Sequence, residues 1–229
     1  MTLKDCIEIA QGLSIIVASI FAIYGFDTWR REYVGIRRIE LAEEVLALFY
    51  QARDAIESIR NPFGFDGEGQ SRKSSGSESA ELKQALDQAY VLIERYNKHS
   101  ELFSRIYSLR YKFMALLGHE AAQPFEELNK ILTELMLSSH QMSVRAKYLQ
   151  LNFNSEAQEQ KDLESFLKTN QVYYGGGEDD PIAPRVNKTI EKIEGTCRNI
   201  IESKNTLFSF IYISLSKLPL KINKTKQHK

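Results

Sequence analysis

Residues 7–40, IEIAQGLSIIVASIFAIYGFDTWRREYVGIRRIE, decide how the rest of the chain is read. From Ile9 to Phe26 no residue carries a formal charge. At ~1.5 Å per helical residue this run covers about 27 Å, just short of a ~30 Å hydrocarbon core. A buried helix of a soluble domain would also accommodate Gln11, Ser14 and Ser19, so length and polarity leave two readings open. The flanks separate them. Tyr24 and Trp29 are aromatics of the kind that settle at headgroup level, and Arg30, Arg31, Arg37 and Arg38 follow, whereas only Lys4 precedes the run, against Asp5 and Glu8. A secretory signal has the opposite order, with a basic start and a small-residue cleavage site after the apolar run. The flanks therefore predict a transmembrane helix with an outside N-terminus and a cytoplasmic chain from Trp29 onward. Ser14, Ala18, Ala22 and Gly25 recur at helical spacing, a small-residue face through which two such helices can associate in lipid.

Beyond the run, apolar residues recur every three or four positions at Ile39, Ala42, Leu46, Phe49, Ala52, Ile56 and Ile59, one face of an amphipathic helix continuing from the span. Residues 61–77, NPFGFDGEGQSRKSSGS, end it in a flexible loop, since proline, four glycines and a serine-rich tract disfavour helix. That loop is no phosphate cradle, because no Gly-Lys-Ser/Thr follows. A second stripe, Leu82, Leu86, Ala89, Ile93, Tyr96, Phe103, Tyr107, Met114 and Leu117, fits one long helix or two with a kink at Asn97–Ser100, stopped by Gly118. Gln123-Pro124 opens another helix, with Phe125, Leu128, Leu132, Leu135, Met142, Ala146 and Leu149 on its stripe. A short helix at 156–168 and a last one at 185–204 flank a second glycine- and acid-rich loop, 170–184. The expected fold is all-α: an N-terminal transmembrane helix (1–29) continuing into an elongated antiparallel helical bundle (30–204), then an apolar segment and basic tail (205–229).

Thirty basic and thirty acidic residues cancel, so no global field recruits nucleic acid. In RIYSLRYKF the basic residues Arg105, Arg110 and Lys112 alternate with aromatics, but helical spacing scatters them around the axis. The stripe tyrosines read as core and interface. At the C-terminus, Phe208, Phe210 and Tyr212 precede Lys217, Lys221 and Lys224. This apolar-aromatic patch beside a lysine tail is either a membrane-surface segment or a packed helix followed by a polar tail.

Signals for catalysis are sparse. The four histidines include no HExxH pair, and Cys6 and Cys197 form no CxxC. Cys197, in an apolar stripe, reads as core. Glu178, Asp179 and Asp180 beside three glycines have the donor chemistry for a divalent cation, although their spacing is not that of an EF-hand. With His119 they are the best members of a dispersed acidic or metal-assisted site.

The run REYVGIRRIELAEEVLALFYQARDAIESIRNPFGFDGEG, together with YYGGGEDDPIAPRV, resembles a group of uncharacterised bacterial proteins with one N-terminal transmembrane helix and a cytoplasmic helical domain, over about residues 7–203. The resemblance implies topology and no activity. The expected function is a membrane-anchored, non-enzymatic interaction module, a sensor or effector of stress response or phage defence, with the bilayer and a second copy or another protein as partners and no cofactor. The alternative is an enzyme with its site near Glu178–Asp180.

Overall fold

In a computed structural model the protein is all-α, and the structure describes residues 3–150 and 156–216, with side chains at 11–26, 28–149 and 163–202. Among the described residues there are six α-helices: α1 (Leu3–Ile59), α2 (Ala80–Lys98), α3 (Ser100–Leu117), α4 (Gln123–Gln150), α5 (Glu156–Tyr173) and α6 (Ala183–Ser216). The chain divides into two compact units, one of residues 1–43 with 198–229, the other Glu44–Cys197.

α1 runs through Gly25 and Gly35 without a break. Its expected core stripe is buried from Ala42 to Ile59 except for the first member, Ile39, which is half-buried. The buried face is wider than the stripe, because Val45, Leu48 and Ala55 are covered too. In the second unit Phe49 meets Phe125 edge-on at 4.9 Å, and Phe113 lies 5.3 Å from the same ring. Burying rings of this size stabilises by roughly 1.5–3 kcal/mol each. α2 packs on α4, where the buried Ser139 hydroxyl donates to the Ala89 carbonyl at 2.6 Å, and α4 packs on α5.

The segment from Ser79 to Leu117 is two helices. Ser79 caps α2 by accepting from the Leu82 N–H at 3.2 Å. The break falls at His99, whose N–H turns back to the Tyr96 carbonyl, while the Ser100 hydroxyl takes the Asn97 carbonyl at 2.8 Å. Polar side chains here compete with the helical ladder. Tyr96 and Phe103 stack across the break with centroids 5.3 Å apart. α3 buries Phe103, Ile106, Leu109 and Phe113. Tyr107 and Tyr111, expected as core or interface residues, are exposed, with their hydroxyls 3.3 Å apart. Gly118, at φ 92°, ends α3, and after a 3-10 turn at Glu120–Ala122 Pro124 sits in the first turn of α4. On α4, Ile131, Ser138 and Ser139 are buried, whereas Leu149 is exposed. Both later helices exceed their expected bounds: α5 extends to Tyr173, and α6 runs on through the apolar segment to Ser216.

Candidate functional site

In the first unit the feature that demands explanation is the apolar run itself. Among the described residues α1 is the helix long and apolar enough to cross a membrane, and its most apolar stretch is wholly uncovered. The large side chains from Leu13 to Phe26 are 48–73% exposed, and Ser14, Ala18, Ala22 and Gly25 are exposed as well. By length and composition such an N-terminal helix fits a membrane anchor or a signal sequence. Where the run ends, Phe26, Trp29 and Tyr33 form a ladder at 5.9 Å per step, and the Arg37 guanidinium lies 4.9 Å from the Tyr33 ring. This is cation–π geometry. On another face Arg30, Arg31, Val34, Gly35 and Arg38 line an open, shallow hollow of about 360 Å³.

In the second unit several charged groups are committed to structure. The Arg60 side chain, 3% exposed, follows the last residue of α1. It donates to the carbonyls of Gln171, Val172 and Tyr174 at 2.8–2.9 Å and grips both carboxylate oxygens of Asp180 at 2.8 and 2.9 Å. Its own carbonyl accepts from the Gly175 N–H at 2.7 Å. Asp180 in turn accepts from the N–H groups of Ile182 and Ala183, capping α6. Burial alone would raise the Asp180 pKa, but Arg60 and these two N–H groups outweigh it and hold the carboxyl below its ordinary value. One ion pair therefore joins the end of α1, the end of α5 and the start of α6. The planar guanidinium fork is needed, because a point-charge ammonium cannot satisfy three carbonyls and a bidentate acid together.

Arg95 does the equivalent for the loop at 61–77. From α2 it donates to the carbonyls of Asn61 and Phe63 at 2.6 and 2.8 Å and pairs with both oxygens of Glu68. That hydrogen bond keeps the Glu68 carboxyl below its usual range against the opposing effect of burial. Gly69 donates to Glu94 at 3.0 Å, and Arg72 bridges Asp87 and Glu78. The glycine- and serine-rich segment is thus tied to α2 at several points. It displays Phe63 and Phe65, 80% and 81% exposed. Phe63 borders a groove of about 770 Å³ whose other walls include Arg53, Glu57, Gly176, Val186 and Asn187. The Tyr173 hydroxyl accepts from the Leu92 N–H and donates to the Gln88 carbonyl, the two partners of one turn of α2. Burial pushes its phenol well above the ordinary value.

Asp180 is committed to Arg60, Glu178 and Asp179 are exposed, and His119 sits on the α3–α4 connection. Among the described residues no group of three or more His, Cys, Asp or Glu is placed to hold a metal ion. Cys197 is fully buried, and burial pushes its thiol up to about 12, so little thiolate forms near neutrality. Phe208, Phe210 and Tyr212 fall within α6, but their side chains, like Lys217, Lys221 and Lys224, lie outside the described residues.

Compared with family models, with curated proteins and with solved structures, the chain matches none. The topology implied by the sequence resemblance is present at its coarse level, one long apolar N-terminal helix on an all-helical chain. Arg60 and Arg95 carried no sequence signal as partners of Asp180 and Glu68. The basic residue just after a helix-ending Ile59 and the arginine three residues beyond Leu92, in step with the Leu86, Ala89 and Leu92 stripe, were the available hints.

Proposed function

We propose that this chain is a membrane-anchored helical interaction module whose second unit works by binding, not by catalysis. The observation that carries the reading is the uncovered run from Leu13 to Phe26, bordered on one side by the Trp29–Tyr33 ladder and the arginines. Exposing that much apolar surface to water is unfavourable at about 25 cal/mol per Å², and a bilayer removes the cost. The internal commitment of Arg60, Asp180, Arg95 and Glu68 supports a non-enzymatic second unit, and the display of Phe63 and Phe65 on a tethered loop supports protein contact. Anchor and signal sequence differ in one measurable respect. The full chain should stay in the membrane pellet after alkaline extraction with its N-terminal peptide intact by mass spectrometry, and a reporter fused after Lys229 should be active only in the cytoplasm. Release into the supernatant, or a mature chain starting beyond Trp29, would remove the anchor.

The module assembles with a second copy through Ser14, Ala18, Ala22 and Gly25, where small side chains let helix backbones approach closely in lipid. Changing Ala18 and Ala22 together to Ile keeps the span apolar and fills that face. Crosslinking within membranes should drop several-fold while insertion is retained; crosslinking equal to the parent's would make the small-residue face incidental.

A further inference from the structure

The arginines after the span are not evenly spread. Arg37 is held over Tyr33 on the aromatic face, 4.9 Å from the ring. Arg30, Arg31 and Arg38 instead surround Gly35, whose missing side chain leaves the floor of the hollow open, with Val34 as an apolar wall. An added Cβ at Gly35 would meet nothing within 4 Å. In helical projection Arg30, Val34 and Arg38 form one row, and Glu32 is turned away from its centre by roughly 160°. Among the side chains that line the hollow three are arginines and none is acidic, which leaves this face positive.

We infer that the Gly35 hollow seats the phosphate of an anionic lipid headgroup, with Arg30 and Arg38 as its principal donors. Resting on the membrane reading, this adds a defined ligand class to it. Guanidinium forks match phosphate oxygens in pairs. The hollow lies at the same level along α1 as Trp29 and Tyr33, though on another side of the helix; those side chains mark headgroup depth, so a lipid phosphate reaches it without leaving the bilayer surface. Its apolar wall suits the glycerol backbone of a lipid better than a hydrated free phosphate.

Trp29 is the one tryptophan in the chain and adjoins Arg30, which makes it a built-in reporter. The full chain is reconstituted in vesicles of phosphatidylcholine with a minority of phosphatidylglycerol, and bromine is placed on the acyl chains of one lipid or the other at equal mole fraction. Brominated phosphatidylglycerol should quench Trp29 about twofold more than brominated phosphatidylcholine, the scale of local enrichment expected from two or three basic side chains. Substituting Arg30→Gln with Arg38→Gln should abolish the excess and leave the phosphatidylcholine quenching unchanged. Gly35→Leu, which keeps every arginine and fills the hollow, should also abolish it. An excess that survives Gly35→Leu would mean diffuse charge attraction and would overturn the seat. So would its removal by inorganic phosphate beyond the effect of sodium chloride at matched ionic strength, which would assign the site to free phosphate. Absence of quenching by either lipid would sink the membrane reading, an outcome distinct from the loss of the excess alone.

Discussion

Replacing Arg60 with methionine lowers the thermal midpoint by roughly 10 °C, because breaking a buried pair costs about 3–5 kcal/mol and each kcal/mol is worth ~2–4 °C in a chain of this size. The substitution fills the same space with apolar atoms, yet it strands the Asp180 carboxylate and the carbonyls of Gln171, Val172 and Tyr174. The loss should depend on pH. In the intact protein the Asp180 carboxyl is held below its ordinary 3.8. A depressed carboxylate contributes stability above its unfolded value and loses it as pH falls through the folded value. In the variant, protonation instead relieves an unpaired buried charge. The gap between the two proteins, followed by circular dichroism melts, is therefore widest at pH 6–8 and narrows below about pH 4. A gap that stays constant with pH would assign the loss to packing and not to the ion pair. Arg60→Lys recovers only part of the stability, since one ammonium cannot replace the fork.

The second large effect belongs to a glycine. At Gly69 φ is +83°, and a Cβ there would stand 2.0 Å from the Asp87 carbonyl oxygen and 3.2 Å from Val91 Cγ2. Gly69→Ala must therefore push the loop off α2, and with it the Glu68–Arg95 pair and the Gly69–Glu94 hydrogen bond. Gly67 is the internal control, with φ +87° and nothing within 4 Å of an added Cβ. Backbone strain alone costs about 1 kcal/mol, which is what Gly67→Ala should lose in urea unfolding. Gly69→Ala should lose roughly 3 kcal/mol, the strain plus a buried pair disturbed. Equal losses at the two positions would contradict the close approach of the loop to α2.

How far the chain's own pattern reached can be judged from particular elements. The charge-free run, its arginine flank and the stripe from Ala42 to Ile59 were legible because each is a local pattern whose period matches one helix. Gly118 and Pro124 were legible as boundaries for the same reason: their backbone chemistry acts on the residue itself. The break at His99 was open between two readings, since the apolar register passes across Asn97–Ser100 with little phase error and only the capping bonds choose. Within α3 it is Ile106 and not Tyr107 that faces inward, a difference of one residue or about 100° around the helix.

The second unit's polar framework was not legible. Arg60 and Asp180 are 120 residues apart, and Arg95 and Glu68 are 27 apart. Nothing in either neighbourhood marks one as the other's partner, because an ion pair depends on where two helix ends arrive and not on the residues beside them. The same distinction recast the acidic turn at Glu178–Asp180. Its sequence offers three carboxylates to a cation, whereas the fold commits Asp180 to Arg60 and to the first N–H groups at the start of α6. Composition and a period of 3.6 residues were enough to make the chain helical and to mark its first helix as long and apolar enough to cross a membrane. Tertiary structure decided which loops are tied down and which charges are used up, because burying a charge is tolerable only where another part of the chain brings its partner.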